Sequence, residues 1–208
     1  MPGWQWCTAQ LNHSVCAAGL GNATSSKTDH QATPSRDGSS SKFNIAGPKG
    51  YSNALWWKTL TPDPNVSHFN YDLWFYVDKP DASQALEFDT NQSFGGTRWV
   101  FGTECNFKDT GKWDLWDGKE GKWVPSSVPC TPFSGNTWHH LLWQFERVGS
   151  QVHYISVTVD GQTMPEDVYH DAQPDYGGND IDVAFQLDGD STQQPYNVWL
   201  DEVTLTTW

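Results

Sequence analysis

The sequence contains few positively charged residues. Its 208 residues include 12 Lys and Arg against 25 Asp and Glu, which gives a formal net charge of −13. Nucleic-acid binding depends on Lys and Arg that neutralise phosphates, so we predict no nucleic-acid partner. The same argument disfavours acidic polysaccharides such as alginate or pectin. A neutral glycan fits the charge best, although solubility in an acidic extracellular medium explains the charge equally well.

The sequence also lacks long apolar runs and helical periodicity. No run approaches the length of a membrane span, so we predict no membrane partner. No long segment shows a clean helical period. Trp (13 residues) and Gly (18 residues) are abundant instead, together with Ser, Thr and Asn, a composition typical of strands and loops. We therefore predict one all-β domain over residues 1–208, and we expect a monomer.

Cysteine is scarce, and its spacing excludes a zinc site of the Cys-x-x-Cys kind. The four residues are Cys7, Cys16, Cys105 and Cys130. They allow three pairings, of which we predict the nearest-neighbour one, Cys7–Cys16 and Cys105–Cys130, and with it a secreted protein. The alternative is four free thiols in a cytosolic protein. No signal peptide is recognisable, and we expect that one has been removed.

Alternating apolar and polar residues predict most of the chain to be strands. Residues 1–50 are rich in Gly, Ser, Thr and Asn and predict a loop-rich lead-in with one or two edge strands, one of them at 42–45. From residue 69 onward the two-residue period is strong, and Asp117-Gly118 is typical of a hairpin turn. The pattern predicts roughly nine to twelve short strands, and thus an antiparallel β-sandwich of the jelly-roll type with a loop-rich N-terminal segment.

Two segments carry a family resemblance. The segment TWHHLLWQFERVGSQVHYISVTVDGQ (137–162) resembles the central hairpin of concanavalin A-like and laminin-G-like jelly rolls, and NVWLDEVTL (197–205) is similar to their final strand. Over residues 50–208 the resemblance is otherwise topological, and it does not cover residues 1–50. It implies two curved sheets with a ligand in the concave face or at its rim. The concanavalin A-like superfamily holds both lectins and polysaccharide-cleaving enzymes, so the fold does not decide the function.

The segment ALEFDTNQ (85–92) places Glu87, Asp89 and Asn91 on one face of a strand. Glucan-cleaving members of the superfamily carry a Glu-x-Asp-x-Glu or Glu-x-Asp-x-x-Glu strand, whose first Glu is the nucleophile and whose last Glu is the general acid/base. Here the last position is Asn91 or Gln92, and an amide cannot donate and regain the proton. The segment therefore resembles the glucanase strand without its acid.

A second carboxylate would restore an acid pair if its strand lay beside this one. Glu104 and Glu146 are the candidates, so the catalytic residues of a retaining hydrolase would be Glu87 and Asp89 with Glu104 or Glu146. The structural alternative is that Glu87 and Asp89 lie on a solvated face or form a salt bridge, for example to Arg98.

Aromatic side chains on the polar side of the strands predict a sugar-binding surface, because pyranose rings stack on indoles. The segment KWDLWDGKEGKW (112–123) is the best candidate for an exposed aromatic loop. The predicted ligand-binding residues are Trp74, Tyr76, Glu87, Asp89, Asn91, Trp113, Trp116, Gln144, Gln186, Asp188 and Trp199.

No cofactor is required by any motif in the chain, but a structural calcium ion is a candidate. Asp188 and Asp190 lie on a turn after the penultimate predicted strand, and calcium prefers oxygen ligands from such turns. In the resembled superfamily a calcium ion lies near the final strand, which adds Asp201. We predict these three residues as calcium ligands with a structural role.

Together these features favour a secreted, lectin-like domain that binds a neutral polysaccharide or oligosaccharide, with a β-glucan as the best candidate. The alternative is a retaining glycoside hydrolase of the endo-β-glucanase type. A second alternative is an adhesive module whose partner is another protein.

Overall fold

Two antiparallel β-sheets pack face to face in the computed structural model, which describes residues 3–8, 23–175 and 177–208. These residues form sixteen strands and one short 3-10 helix, Pro80–Ala82, with no α-helix among them. The predicted fold class, an all-β antiparallel sandwich, is confirmed. No helix in the described ranges is long and apolar enough to cross a membrane.

The strands divide into two sheets, which we call sheet A and sheet B. In spatial order sheet A contains β1 (Gln5–Thr8), β4 (Asn53–Leu60), β15 (Asp180–Gly189), β6 (Ser83–Phe94), β8 (Thr103–Asn106), β9 (Lys112–Asp117) and β10 (Lys122–Pro129). Two further strands complete it: β7 (Thr97–Phe101) pairs with β6 and with β14 (Gln173–Pro174). Sheet B contains β13 (Gln162–Asp171), β12 (Gln151–Val159), β11 (Trp138–Val148), β5 (His68–Val77), β16 (Tyr196–Thr207), β3 (Ser40–Ala46) and β2 (Thr24–Gln31).

The core lies between the sheets and is built from alternate residues of each strand. On β11 the core-facing side chains are Leu141, Trp143 and Phe145, all at most 1% exposed, as the alternation predicts. Trp143 packs edge to face on Trp113 of β9 at a ring-centroid distance of 5.2 Å, which joins the two sheets. Burying each such side chain contributes about 1.5–3 kcal/mol to stability. The remaining residues of each strand point away from the core, so each sheet also has an outer face.

The N-terminal region contributes more strands than predicted. The expected strand at 42–45 lies within β3, but β1 and β2 also form, at the edges of sheets A and B. The sequence of β2, TSSKTDHQ, is polar, and its residues alternate between exposed and half-buried. An edge strand that buries neither face needs no apolar stripe, so hydrophobic patterning does not reveal it.

Two hairpins with Asp-Gly turns and one predicted disulfide are present. Asp160 and Gly161 have φ angles of +49° and +81° and form the tight turn between β12 and β13. The turn at 118–121 joins β9 to β10. Cys105 of β8 is bonded to Cys130, just after β10. Cys16 lies outside the described residues, so the Cys7–Cys16 bond stays a prediction.

Candidate functional site

A cluster of carboxyl groups lies on the outer face of sheet A. Strand β6 runs between β8 and β15, so Glu87 is directly opposite Glu104 on one side and Gln186 on the other. One carboxylate oxygen each from Glu87, Glu104 and Asp188 lies within 4.8 Å of the other two. Glu87 and Glu104 are only 6% and 7% exposed. Glu104 therefore lies on a strand adjacent to that of Glu87, as its predicted role as a second acid requires.

Side-chain amides hold these carboxyl groups in place. Gln186 Nε2 donates hydrogen bonds to Glu87 Oε1 and, at 3.1 Å, to Asp188 Oδ1. Asn106 Nδ2 donates to Glu104 Oε1 at 3.2 Å and to Asp114 Oδ2 at 3.1 Å. Each amide thus bridges two acids, which fixes the direction in which the remaining carboxyl oxygens point.

Burial changes the protonation of the cluster. It raises the pKa of Glu104 to about 9, with further contributions from the charges of Asp188 and Asp114. Burial also raises the pKa of Glu87 well above its ordinary value, and the charge of Asp188 adds to this effect. Burial likewise raises the pKa of Asp188 to about 7. The cluster therefore retains protons at neutral pH, because several buried charges of one sign are costly.

Asp89 and Asn91 continue the row along β6. The backbone N–H of Thr103 donates to Asp89 Oδ1 at 2.9 Å. Burial raises the pKa of Asp89 to about 7, although the Thr103 bond opposes the shift. Arg98 pairs with Asp182 at 3.7 Å. Arg98 therefore does not form the salt bridge to Glu87 or Asp89 that was the predicted structural alternative.

A cavity of about 330 Å³ opens above the cluster. Its floor includes the three clustered carboxyl groups of Glu87, Glu104 and Asp188, and its walls include Tyr51 and Trp123. Tyr51 is 51% exposed. Trp123 packs edge to face on Trp116 at a ring-centroid distance of 5.3 Å. The arrangement combines hydrogen-bonding groups below with aromatic surfaces at the sides.

The cavity lining also includes residues that were not predicted, among them Tyr51 and Asn53. Asn53 begins β4, a segment that reads equally well as a short helix or a strand. As a strand residue it lies opposite Asp188 of β15 and is 5% exposed. No local signal marks either residue, because their role comes from the pairing of β4 with β15. Trp123 is the last residue of the predicted aromatic segment 112–123 but was not among the predicted ligand-binding residues.

Three of the aromatic residues predicted to bind the ligand lie on the opposite side of the molecule from the acids. Trp74, Tyr76 and Trp199 are on the outer face of sheet B, where Tyr76 is flanked by Trp138 and Trp199 on the neighbouring strands. Trp74 stacks on His140, and the Arg36 guanidinium lies 3.4 Å from its ring centroid. The expectation that these rings and Glu87 form one groove is wrong, because β5 and β16 belong to the other sheet.

Three further predicted site residues do not line the cavity, although one of them, Trp116, packs on Trp123. Trp113 is fully buried in the core and so belongs to no exposed loop, whereas Trp116 is half-buried and donates from Nε1 to Gln173 at 3.3 Å. Gln144 lies on sheet B, where it donates to Asn70 at 3.4 Å. Trp113 faces inward because its position on β9 has the parity of the core residue Leu115.

Glu146 does not lie beside Glu87. It is on β11 in sheet B and interacts with His68 and His153, each at 3.3 Å. Its role as a second acid for Glu87 is excluded by this placement. Glu104 is the candidate that remains.

The predicted calcium ligands are also separated. Asp190 pairs with Lys108 and accepts a 2.8 Å hydrogen bond from the Thr192 N–H. Asp201 lies in sheet B and accepts a 2.7 Å bond from the Arg36 N–H. Asp190 and Asp201 therefore have protein partners, and of the three predicted ligands only Asp188 belongs to the carboxyl cluster.

Comparisons with known proteins bear on the fold. No protein-family model matches the chain, and no curated protein sequence matches it. A solved structure of carbohydrate-binding modules from the β-sandwich super family aligns with 99% of this chain at a TM-score of 0.52 and 8% identity. This chain spans 58% of the length of that one. The structure of the cellulose induced protein Cip1 aligns with 98% of this chain and 91% of its own at a TM-score of 0.57 and 13% identity. At these identities the likeness shows a shared β-sandwich fold, and membership of the concanavalin A-like superfamily stays a prediction.

Proposed function

We propose that this protein binds a neutral polysaccharide, with a β-glucan as the best candidate, in the cavity on the outer face of sheet A. The observation that carries the proposal is the pairing of aromatic walls, Tyr51 and Trp123, with a floor of carboxyl and amide groups. Sugar rings present apolar C–H faces that stack on indole and phenol rings, and hydroxyl groups that need acceptors and donors.

Charge and fold both support this choice. The net charge of −13 and the acidic floor disfavour an anionic glycan. Carbohydrate-binding modules of the β-sandwich super family and the cellulose induced protein Cip1 share the fold, which makes a saccharide ligand a natural hypothesis for this chain. The Cys105–Cys130 bond supports secretion, because disulfides persist in oxidising compartments.

One observation favours a second candidate, a retaining glycoside hydrolase. Glu87 and Glu104 are opposed on adjacent strands, and carboxylate oxygens of the two lie within 4.8 Å. Retaining hydrolases hold two carboxyl groups about 5 Å apart, one as nucleophile and the other as proton donor. The amide at Asn91 or Gln92, which breaks the glucanase pattern along β6, does not prevent a pair across two strands.

Binding is tested by isothermal titration with soluble oligosaccharides from several β-glucans and by pull-down with the insoluble polymers. We expect saturable binding by the wild-type chain and at least a tenfold loss for Trp123→Ala, the scale of one stacking contact. The matched control is Trp138→Ala, which removes an indole from the outer face of sheet B.

Two results contradict the proposal. If Trp138→Ala loses binding and Trp123→Ala keeps it, the saccharide binds to sheet B instead. If no glycan of a broad array binds, saccharide binding fails and the adhesive protein-interaction module is favoured.

A further inference from the structure

The cavity floor brings three carboxyl groups together without a basic partner. Among the ion pairs that the described residues form with one another, none includes Glu87, Glu104 or Asp188. Lys108 pairs with Asp190, and Arg98 pairs with Asp182. Three carboxyl groups thus lie within 4.8 Å of one another, and none of them forms an ion pair with a basic side chain of the described residues.

An unpaired amide oxygen provides a second, independent observation. Asn53 lines the same cavity and is 5% exposed, and within the described part of the chain its Oδ1 accepts no hydrogen bond. Asp188 Oδ2, directly across the β4–β15 pair, is also buried without a donor. Buried acceptors are nearly always satisfied, since leaving one unpaired costs free energy. Both atoms are electron-rich oxygens at the edge of the carboxyl cluster.

We propose that Glu87, Glu104, Asp188 and Asn53 bind a divalent cation of the calcium type. All four donors are oxygens, and the set lacks the His and Cys ligands that transition metals prefer. Calcium accepts carboxylate and amide oxygens in irregular arrangements, and water in the cavity of about 330 Å³ would complete its shell. Magnesium requires a near-ideal octahedron and gives up its water reluctantly, so it suits this cluster less well.

The cation site does not depend on the identity of a saccharide. An ion at the cavity floor would also offer coordination sites to sugar hydroxyls, and this extension rests on the proposed function. Calcium would occupy Glu87 and Glu104 together, so under the hydrolase candidate it would inhibit turnover.

The test is isothermal titration of the chelator-treated 208-residue chain with CaCl₂ and, in parallel, with MgCl₂, in the absence of any saccharide. We expect calcium to bind with a Kd of about 10⁻³ M or tighter, the range of extracellular calcium modules, and magnesium to bind more weakly. Glu104→Gln and Asn53→Ala should each weaken calcium binding at least tenfold. The matched control Glu146→Gln removes a carboxylate from sheet B and should leave the affinity unchanged.

A conservative variant separates the loss of a ligand from misfolding. Asn53→Asp keeps the oxygen at this position and adds a negative charge, so it should bind calcium at least as tightly as the wild-type chain. The proposal is overturned if wild-type protein shows no saturable calcium binding up to about 10 mM. It is equally overturned if folded Glu104→Gln and Asn53→Ala bind calcium as tightly as the wild type. Because the titration contains no saccharide, either result is independent of the outcome of the glycan-binding experiment.

Discussion

Glu87 and Glu104 face each other across the hydrogen-bonded strands β6 and β8, each more than nine-tenths buried and each bonded to a different side-chain amide. Neither residue has a basic partner among the described residues, and burial raises the pKa of both. A fold that only needed stable strands would place apolar or paired side chains at these positions. Their position beside an open cavity supports the proposal that the pair contacts a ligand.

The hydrolase candidate makes the sharpest prediction about this pair. Under it, wild-type protein releases reducing ends from at least one β-glucan, and Glu87→Gln and Glu104→Gln each lower kcat by at least a hundredfold, the scale of a lost acid/base or nucleophile. Glu146→Gln is the control, since it lies in the other sheet. Release is measured with a reducing-sugar assay. Tight glycan binding without any release would remove the hydrolase candidate and leave binding as the function.

The aromatic wall is predicted to depend on the small size of Gly102. A Cβ added there would lie 2.9 Å from Trp116 Cβ and 3.2 Å from Trp123 Cη2. Gly102→Ala should therefore displace the Trp116–Trp123 pair, lower the free energy of unfolding by about 1–3 kcal/mol and weaken saccharide binding. Chemical denaturation and titration measure the two effects.

Gly96→Ala is the control for a loss of stability alone. Gly96 has a φ of +83°, which disfavours alanine, but a Cβ added there would meet only the Asp175 carbonyl oxygen, at 3.9 Å. This variant should lose stability and keep glycan affinity. Equal glycan affinity in Gly102→Ala and the wild-type chain would show that the wall does not contribute to binding.

Glu166 is predicted to make stability depend on pH. Burial raises its pKa from 4.5 to about 7, although Ser126 Oγ donates to it at 2.9 Å across the edges of the two sheets. Because the folded-state pKa is raised, the stabilising contribution is complete below about pH 4.5 and is lost as the pH rises through about 7. Relative to Glu166→Gln, the wild-type chain should lose about 1–2 kcal/mol over this interval, a figure reduced for solvent screening.

Thermal unfolding of the wild-type chain and of Glu166→Gln between pH 4 and pH 8 measures this loss of stability. Glu120→Gln, on the exposed turn between β9 and β10, should follow the wild-type curve. Parallel curves for the wild type and Glu166→Gln would mean that Glu166 keeps its ordinary pKa in the folded protein.

The Cys105–Cys130 bond closes a loop with a sequence separation of 25 residues that contains β9 and β10. Replacing both residues with Ser should lower the free energy of unfolding by about 2–4 kcal/mol, because the unfolded chain regains the entropy of the open loop. Urea titration of the variant and the wild type under non-reducing conditions measures the difference. A loss below about 0.5 kcal/mol would show that strand pairing alone holds this loop.

Local patterning in the sequence predicted much of this protein. Alternation along β6 and β11 placed Glu87 and Asp89 on the outer side and Leu141, Trp143 and Phe145 on the core side, because successive side chains of a strand point to opposite faces. The turn at Asp160-Gly161 and the Cys105–Cys130 pairing also followed from short-range signals.

The tertiary structure alone decided which of these residues meet. Glu87 and Gln186, which are hydrogen bonded, lie 99 positions apart in the sequence, and nothing local shows that β6 runs between β8 and β15. Trp74 and Tyr76 alternate as clearly as Glu87, yet they lie on the far side of the molecule. The two-residue period determines which side of its own strand a residue occupies. Sheet membership and strand order come from long-range hydrogen bonding and core packing, and these placed Asn53, Glu104 and Asp188 around one cavity.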